Sequence, residues 1–293
     1  MTTSPALAAR ANAVGALWMV AAMAGFAIED TFLKHAAVTL PIAQILVMFG
    51  AGGALLFAGL AAARGERLVT AGVGSRAMRV RVGFELTGRL FYTLAIALTP
   101  LSSATAILQA TPIVVVLGAV LVFGEKVGWR RWAAIIVGLL GVLVILRPSG
   151  QSFSALSLLA VIGMLGFAGR DLASRAAPLT LSTRILGLYG FVTIILAGGL
   201  YAAWEGRAFV MPAYDAALAL TGAILTGVFA YNALMWAMRT GDVSVVTPFR
   251  YTRLLFGLGL GMLIFGERPD ATMLVGCAIV VASGLFLLWR GRR

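Results

Sequence analysis

Four acids, Glu29, Asp30, Glu85 and Asp171, and four arginines, Arg89, Arg170, Arg250 and Arg253, stand inside or at the edges of long apolar runs. Their types suit the holding of charge. A guanidinium offers a fork of N–H donors to a carboxylate or phosphate, while an acid or an aromatic face seats an ammonium. The same residues can also pair with one another. Glu85 and Arg89 are four apart with the acid on the N-terminal side, the order that favours an ion pair along one helix face. Asp30 with Lys34, and Asp171 with Arg175, repeat that spacing.

Bond-making chemistry is poorly supplied. His35 is the sole histidine, no HExxH occurs, and no paired-aspartate motif is available for a membrane acid pair. Cys277 is the single cysteine and lies in an apolar run, which leaves neither a disulfide framework nor a thiolate metal site. Without a GxxxxGK[ST] phosphate loop, nothing in the sequence supports ATP hydrolysis. The expectation is a non-enzyme that uses no metal or cofactor.

The elements that position these charges follow from composition. Of 293 residues, 61% are apolar and 12% charged, against about a quarter charged in soluble domains. That excludes a water-soluble globule and predicts an all-α integral membrane protein, since a helix needs about 20 apolar residues to cross a bilayer. Charge clusters and Pro or Gly turns divide the chain into ten spans, near 13–33, 40–63, 80–98, 101–123, 129–146, 154–175, 181–203, 214–238, 243–265 and 270–290. The runs are too long and continuous for barrel strands. The net charge of +12 comes without a basic, aromatic-interleaved polar domain, so nucleic acid is not an expected partner.

Lys and Arg fall unequally on the two sides. Arg10, five arginines from Arg64 to Arg81, Lys126, Arg130, Arg131, Arg175, Arg184, Arg239, Arg290, Arg292 and Arg293 lie on one; Lys34, Arg147, Arg207 and Arg268 lie on the other. The positive-inside rule then places both termini in the cytoplasm. The first run follows a single arginine, is about 20 residues long and ends in charge, unlike a cleaved signal peptide; it reads as a retained span.

The chain also resembles itself. Gly25-Phe26-Ala27-Ile28-Glu29-Asp30 matches Gly166-Phe167-Ala168-Gly169-Arg170-Asp171 at an offset of 141, with Lys34 continuing to Arg175. Phe123-Gly124-Glu125-Lys126 matches Phe265-Gly266-Glu267-Arg268 at 142. Each half, 1–147 and 148–293, holds five spans. An odd number makes the second half enter the membrane in the opposite direction, an arrangement typical of transporters.

With the runs closing in Phe123-Gly124-Glu125 and Phe265-Gly266-Glu267, the following segments Trp132–Leu146 and Leu274–Leu288, and the Lys34 ending of the first span, the sequence resembles the drug/metabolite transporter superfamily, in particular its ten-span EamA-type exporters. That resemblance implies two inverted five-helix repeats around a central cavity, with the third, fourth, eighth and ninth spans near its middle. It implies a secondary transporter of a bacterial-type inner membrane that works by alternating access. Exporters of amino acids, neutral or aromatic, are the branch the sequence looks most like. Export of other small organic anions, nucleotide-linked metabolites or drugs is the alternative, and a channel or an intramembrane enzyme the rival class.

An amino acid needs a cation for its carboxylate, an acid or aromatic face for its ammonium and an apolar wall for its side chain. Arg89 or Arg250 fits the first, Glu85 or Glu29 the second, and Tyr92, Tyr231, Trp236 and Tyr251 the third. Trp18, which shares a face with Glu29, together with Gln109 and Asn232, completes the candidate substrate site; a tryptophan near a span end also suits an interfacial anchor. Asp30 with Lys34 at the outer face and Asp171 with Arg175 at the cytoplasmic face are the candidate gates, by their symmetry. The expected partners are a small-molecule substrate and the bilayer.

Overall fold

The computed structural model of the chain describes residues 5–123, 129–146, 154–178, 180–240 and 247–290. A few side chains within these ranges, Arg175 and Arg239 among them, are outside the description, as is the Glu125 copy of the Phe-Gly-Glu motif. The described residues form the helices α1 (Pro5–Ala36), α2 (Ile42–Ala62), α3 (Arg76–Leu98), α4 (Leu101–Leu108), α5 (Thr111–Phe123), α6 (Trp129–Leu146), α7 (Ser157–Arg175), α8 (Thr183–Glu205), α9 (Tyr214–Thr240), α10 (Thr252–Phe265) and α11 (Ala271–Arg290). Short 3-10 turns, Ala71–Gly74 and Thr247–Tyr251, precede α3 and α10. Among the described residues six stretches are long and apolar enough to cross a membrane: Arg10–Ala36, Ile42–Ala62, Leu101–Val122, Ser157–Ser174, Thr183–Glu205 and Tyr214–Ala237. Many large apolar side chains point outward, Leu263 at 85% exposure among them, as suits a bundle whose solvent is lipid.

Helix boundaries depart from the expected spans where local chemistry decides. Helix α3 starts at Arg76, because the Ser75 hydroxyl accepts from the Met78 amide and caps it. Arg81, counted above among the cations of one side, therefore lies more than a turn inside the helix and is 2% exposed. The expected fourth span is two helices joined at Gln109 and Ala110. Pro112 has no N–H to give the Leu108 carbonyl four residues earlier, and the Thr111 hydroxyl donates to that carbonyl instead, at 2.5 Å. The loop before α3 is pinned by Glu66, which accepts from Ser182 Oγ at 2.6 Å and Arg184 Nε at 2.9 Å. The Arg184 bonds, and then that from Ser182, hold the Glu66 carboxyl below the usual carboxylate range.

The helices pack mainly as α1 on α9, α3 on α7, α2 on α8 and α6 on α11, with α10 set against both α1 and α4. Two crossings explain the repeated Gly-Phe-Ala motif. A Cβ on Gly25 of α1 would stand 2.9 Å from the Ala230 Cβ of α9, and one on Gly166 of α7 would stand 2.3 Å from the Gly88 amide nitrogen of α3. The motif glycine brings two backbones together in each half; at the α3–α7 crossing this lets Arg170, one turn further along, reach Glu85, while the acids one turn beyond Gly25 meet Arg89 of α3 and Arg253. Between these crossings, Phe49, Phe57 and Phe191 stack at centroid distances of 5.1 and 5.6 Å.

Gly166→Leu should therefore separate α3 from α7. Overpacking of a tight contact costs about 1–3 kcal/mol or more, so detergent-purified G166L should melt at least several degrees below the parent. Gly199→Ala, where a Cβ meets nothing within 4 Å, should melt with it.

Candidate functional site

Two groups of charge lie within the bundle. In the first, α1 supplies Glu29 and Asp30, 1% and 0% exposed. Arg89 of α3 donates through Nη1 to Glu29 Oε1 at 2.6 Å, and Arg253 of α10 donates through Nη2 to Asp30 Oδ2 at 2.6 Å. The Tyr92 hydroxyl donates to the same Asp30 oxygen at 3.1 Å. Two acids meet two arginines, so the group is neutral, as burial demands: a charge removed from water without a partner costs several kcal/mol. Aromatic faces complete the cations, with Phe49 5.1 Å from Arg89 and Phe26 5.1 Å from Arg253.

The second group is more open. Glu85 of α3 accepts from Arg81 Nη2 at 3.4 Å and from Arg170 Nη1 of α7 at 3.3 Å. Arg170 also grips Asp171 Oδ1 through Nε and Nη2, at 3.1 and 3.0 Å, and Arg81 Nε donates to Ser174 Oγ at 3.0 Å. Arg250 approaches Asp171 Oδ2 at 3.6 Å, an ion pair looser than the others. Among the described residues three arginines here face two acids, a surplus of one positive charge. The side chains of Arg170, Asp171 and Arg250 keep 22 to 24% exposure, so this group is less enclosed than the first.

The pairings differ from those expected by spacing. Glu85 and Arg89 do not pair; Arg89 turns to Glu29, 60 residues away in sequence, and Glu85 to Arg81 and Arg170. Asp30 takes Arg253 rather than Lys34, and Lys34 turns to Glu267. A charge-assisted bond in a buried setting outweighs a helix-surface pair worth a few tenths of a kcal/mol. Asp171 pairs with Arg170 and Arg250; the side chain of its expected partner Arg175 is outside the description.

Glu29, Glu85, Arg89, Tyr92 and Arg250 are thus brought together in or beside the two groups. Tyr231 lies in their electrostatic reach, with its ring edge-on to Phe57 at 5.4 Å. Gln109 donates to the Tyr251 carbonyl at 3.3 Å, tying the break between α4 and α5 to the turn that carries Arg250. Tyr251 is buried and lines a cavity of about 340 Å³ with Phe249, Thr252, Leu254 and Leu255 of its own segment and Val281 and Leu285 of α11. Asn232 bonds within its own helix, to the Val228 carbonyl at 2.9 Å. Trp18 and Trp236 stack on each other at 5.5 Å beside Met19 and Met23, a separate cluster from the charges.

Sequence spacing did not single out Arg81, Arg170, Arg253 or Glu267 as site residues. The repeat held a signal for Arg170, which occupies the Glu29 position of the second half, and Arg253 follows Arg250 by one helical turn. Several polar atoms here, including Glu29 Oε2, Asp30 Oδ1, Arg81 Nη1 and Arg253 Nε, make no hydrogen bond to the protein among the described residues. The site keeps both donors and acceptors beyond those used in its own pairs. Among the described residues no cluster of His, Cys, Asp and Glu is arranged to hold a metal.

Residues 13–147 and 155–289 each match the EamA-like transporter family. The chain belongs to that family. It is a multi-pass membrane transporter of the drug/metabolite transporter superfamily. It is similar, at 29% identity, to a riboflavin transporter of Rhizobium johnstonii across 98% of this chain and 94% of the relative. It is 29% identical to the pseudopaline exporter CntI of Pseudomonas aeruginosa, across 93% of this chain and 95% of the relative. An S-adenosylmethionine uptake transporter of Rickettsia prowazekii is 23% identical across 70% and 69%. A crystal structure with 18% sequence identity superposes with a TM-score of 0.61 over 92% of this chain and 98% of the other, a likeness of fold.

The two charge groups should respond differently to truncation. Arg89→Ala strands Glu29 in the core and should cost about 3–5 kcal/mol, the usual cost of breaking a buried pair. Arg250→Ala leaves Asp171 with Arg170, so its effect should stay within about 0.5 kcal/mol, as for partly exposed positions. Thermal unfolding of the two purified variants in detergent checks the contrast.

Proposed function

We propose that this EamA-family chain is a secondary carrier that exports small polar metabolites bearing a carboxylate, amino acids foremost, by alternating access between ten spans arranged as two inverted five-helix repeats. Several observations support the architecture. The family matches the chain twice, once in each half, with the break near residues 148–154. Exchanging each helix with its counterpart in the other half turns the α1–α9 contact into the α7–α3 contact and returns α2–α8, α4–α10 and α6–α11 to themselves. The motif glycines sit at equivalent crossings. The cation excess on one face supports both termini lying on the cytoplasmic side of an inner membrane.

The observation that carries the substrate class is the second charge group, with its surplus arginine and its partial exposure. Arg250, held only loosely by Asp171, is the cation free to take a substrate carboxylate, and Tyr231 and Tyr251 supply an apolar wall close by. Acids in the same network, Glu85 and Asp171, suit a substrate ammonium. The relatives carry riboflavin, pseudopaline and S-adenosylmethionine, so family membership leaves the cargo open. The surplus positive charge also favours a second reading, a carrier of other small organic anions. Asp30 and Asp171, at equivalent positions of the two halves, one gripping Arg253 and the other loosely facing Arg250 of the ninth span, are the gating acids.

Purified protein in liposomes should show saturable counterflow with members of a panel of labelled neutral and aromatic amino acids, organic anions and riboflavin. Arg250→Ala should raise KM for carboxylate substrates by roughly tenfold or more, the loss expected for a charge-assisted bond of about 1.5–3 kcal/mol, and leave the corresponding amides little changed. Equal loss for acid and amide contradicts the assignment of Arg250, and flux that never saturates contradicts a carrier.

A further inference from the structure

Where α1 ends, one lysine and one glutamate join segments from both halves. Lys34 Nζ donates to the carbonyls of Ile96, at 3.0 Å, and Thr99, at 2.5 Å, where α3 terminates. The last carbonyls of a helix have no partner within it, and Pro100 stops α3 from continuing in register. From the other half, Glu267 accepts from the backbone N–H groups of Leu101, at 2.6 Å, and Ser102, at 2.9 Å, the first donors of α4. Each charge thus sits on the helix end whose dipole attracts it. Lys34 Nζ and Glu267 Oε1 are also 3.7 Å apart, with side-chain exposures of only 16 and 10%.

The Phe-Gly-Glu motif builds this arrangement. Phe265 presents its ring 5.2 Å from Lys34 Nζ. Gly266 takes φ +63, a left-handed turn that glycine allows, and Glu267 N then donates to the Gly261 carbonyl at 3.1 Å. That turn folds the carboxylate back over Gly261, where a Cβ would stand 2.6 Å from Glu267 Oε2. Four residues earlier on α1, Asp30 holds Arg253 of α10, so α1 is tied to the second half at two levels.

We propose that Lys34 and Glu267 are the latch of the mouth at this end of the bundle, and that the mouth opens when both charges leave the helix ends they cap. The proposal rests on the alternating-access reading for its purpose. A substrate group that draws Arg253 from Asp30 leaves this latch as the remaining charged tie between α1 and the second half, among the described residues. The Phe265-Gly266-Glu267 copy of the motif then has a mechanical role in addition to marking the repeat.

The test uses the full chain with Cys277→Ser, reconstituted in liposomes, with spin labels on Val38→Cys and Arg268→Cys, two exposed positions flanking the latch. Pulsed electron-electron measurements should give one short distance population in this background and in Lys34→Arg. Glu267→Gln and Lys34→Met should each add a population several ångströms longer. Unchanged distances in both overturn the latch. Exchanging the charges, Lys34→Glu with Glu267→Lys, keeps a pair but sets each charge against the wrong helix end, so the longer population should persist; its disappearance overturns the helix-end anchoring. Any variant that fails to purify as a monodisperse, cooperatively melting protein is replaced by Glu267→Asp, one methylene too short, with the same expected outcome. Counterflow of the labelled panel on the background protein separates the two readings. Unchanged distances with intact counterflow overturn the latch alone, and longer distances without counterflow overturn the carrier reading alone.

Discussion

A charge inside an apolar bundle must find an opposite charge or a dipole, and this demand shapes the protein more than any single apolar contact. Glu29 and Asp30 are essentially without solvent, and each meets an arginine from a different helix at 2.6 Å. The partners come from α3 and α10, so the ion pairs tie α1 to helices of both halves. Burial makes these pairs costly to break from one side, even where replacing both partners by apolar groups costs little. Glycine-mediated crossings set the frame: α3 and α7 come to near backbone contact at Gly88 and Gly166, which lets Arg170 reach Glu85, and the contact of Gly25 with Ala230 of α9 seats the helix that carries Glu29 and Asp30.

The two charge groups divide the work. The first is neutral and closed, and so holds α1 to both halves for as long as Arg253 stays on Asp30. The second carries a surplus cation and stays partly open, and so suits a site where a solute exchanges partners with the protein. They share α3, which carries Glu85 and Arg89 one turn apart, and the segment 250–253, whose two arginines reach one group each. Movement of that segment, which passes from a 3-10 turn to a helix at Thr252, would alter both groups together. The helix breaks at Gln109–Ala110 and at Thr247–Tyr251 are joined by the Gln109 bond, which couples the irregular parts of the two halves.

Apolar content and charge spacing made the membrane class and many of the helix positions legible in the sequence, because lipid leaves the backbone few alternatives; the break within the fourth span and the 3-10 turn within the ninth were not. The repeat was legible through Gly25 and Gly166, whose shared role lies in a contact that each half makes. Pairing was not legible. Four-residue spacing suggested Glu85 with Arg89 and Asp30 with Lys34, whereas the partners chosen lie 60 and 223 residues apart, distances that only tertiary packing brings together. Arg81 read as a face charge at the very start of the third span, whereas the Ser75 cap starts α3 at Arg76 and sets Arg81 more than a turn inside it. Glu267 marked a repeat without disclosing a use, since its partners are backbone amides, which every residue but proline has and no sequence pattern distinguishes.

The pairing of Asp30 with Arg253 across the two halves is tested most directly by a double-mutant cycle on the purified protein, with Asp30→Asn, Arg253→Gln and the combination compared by equilibrium unfolding. Each single change should destabilise strongly, and the combination should cost less than the two together by about 0.5–3 kcal/mol, the range for residues in contact. Costs that add to within about 0.5 kcal/mol, as for independent sites, would contradict the pairing on which the architecture of the site depends.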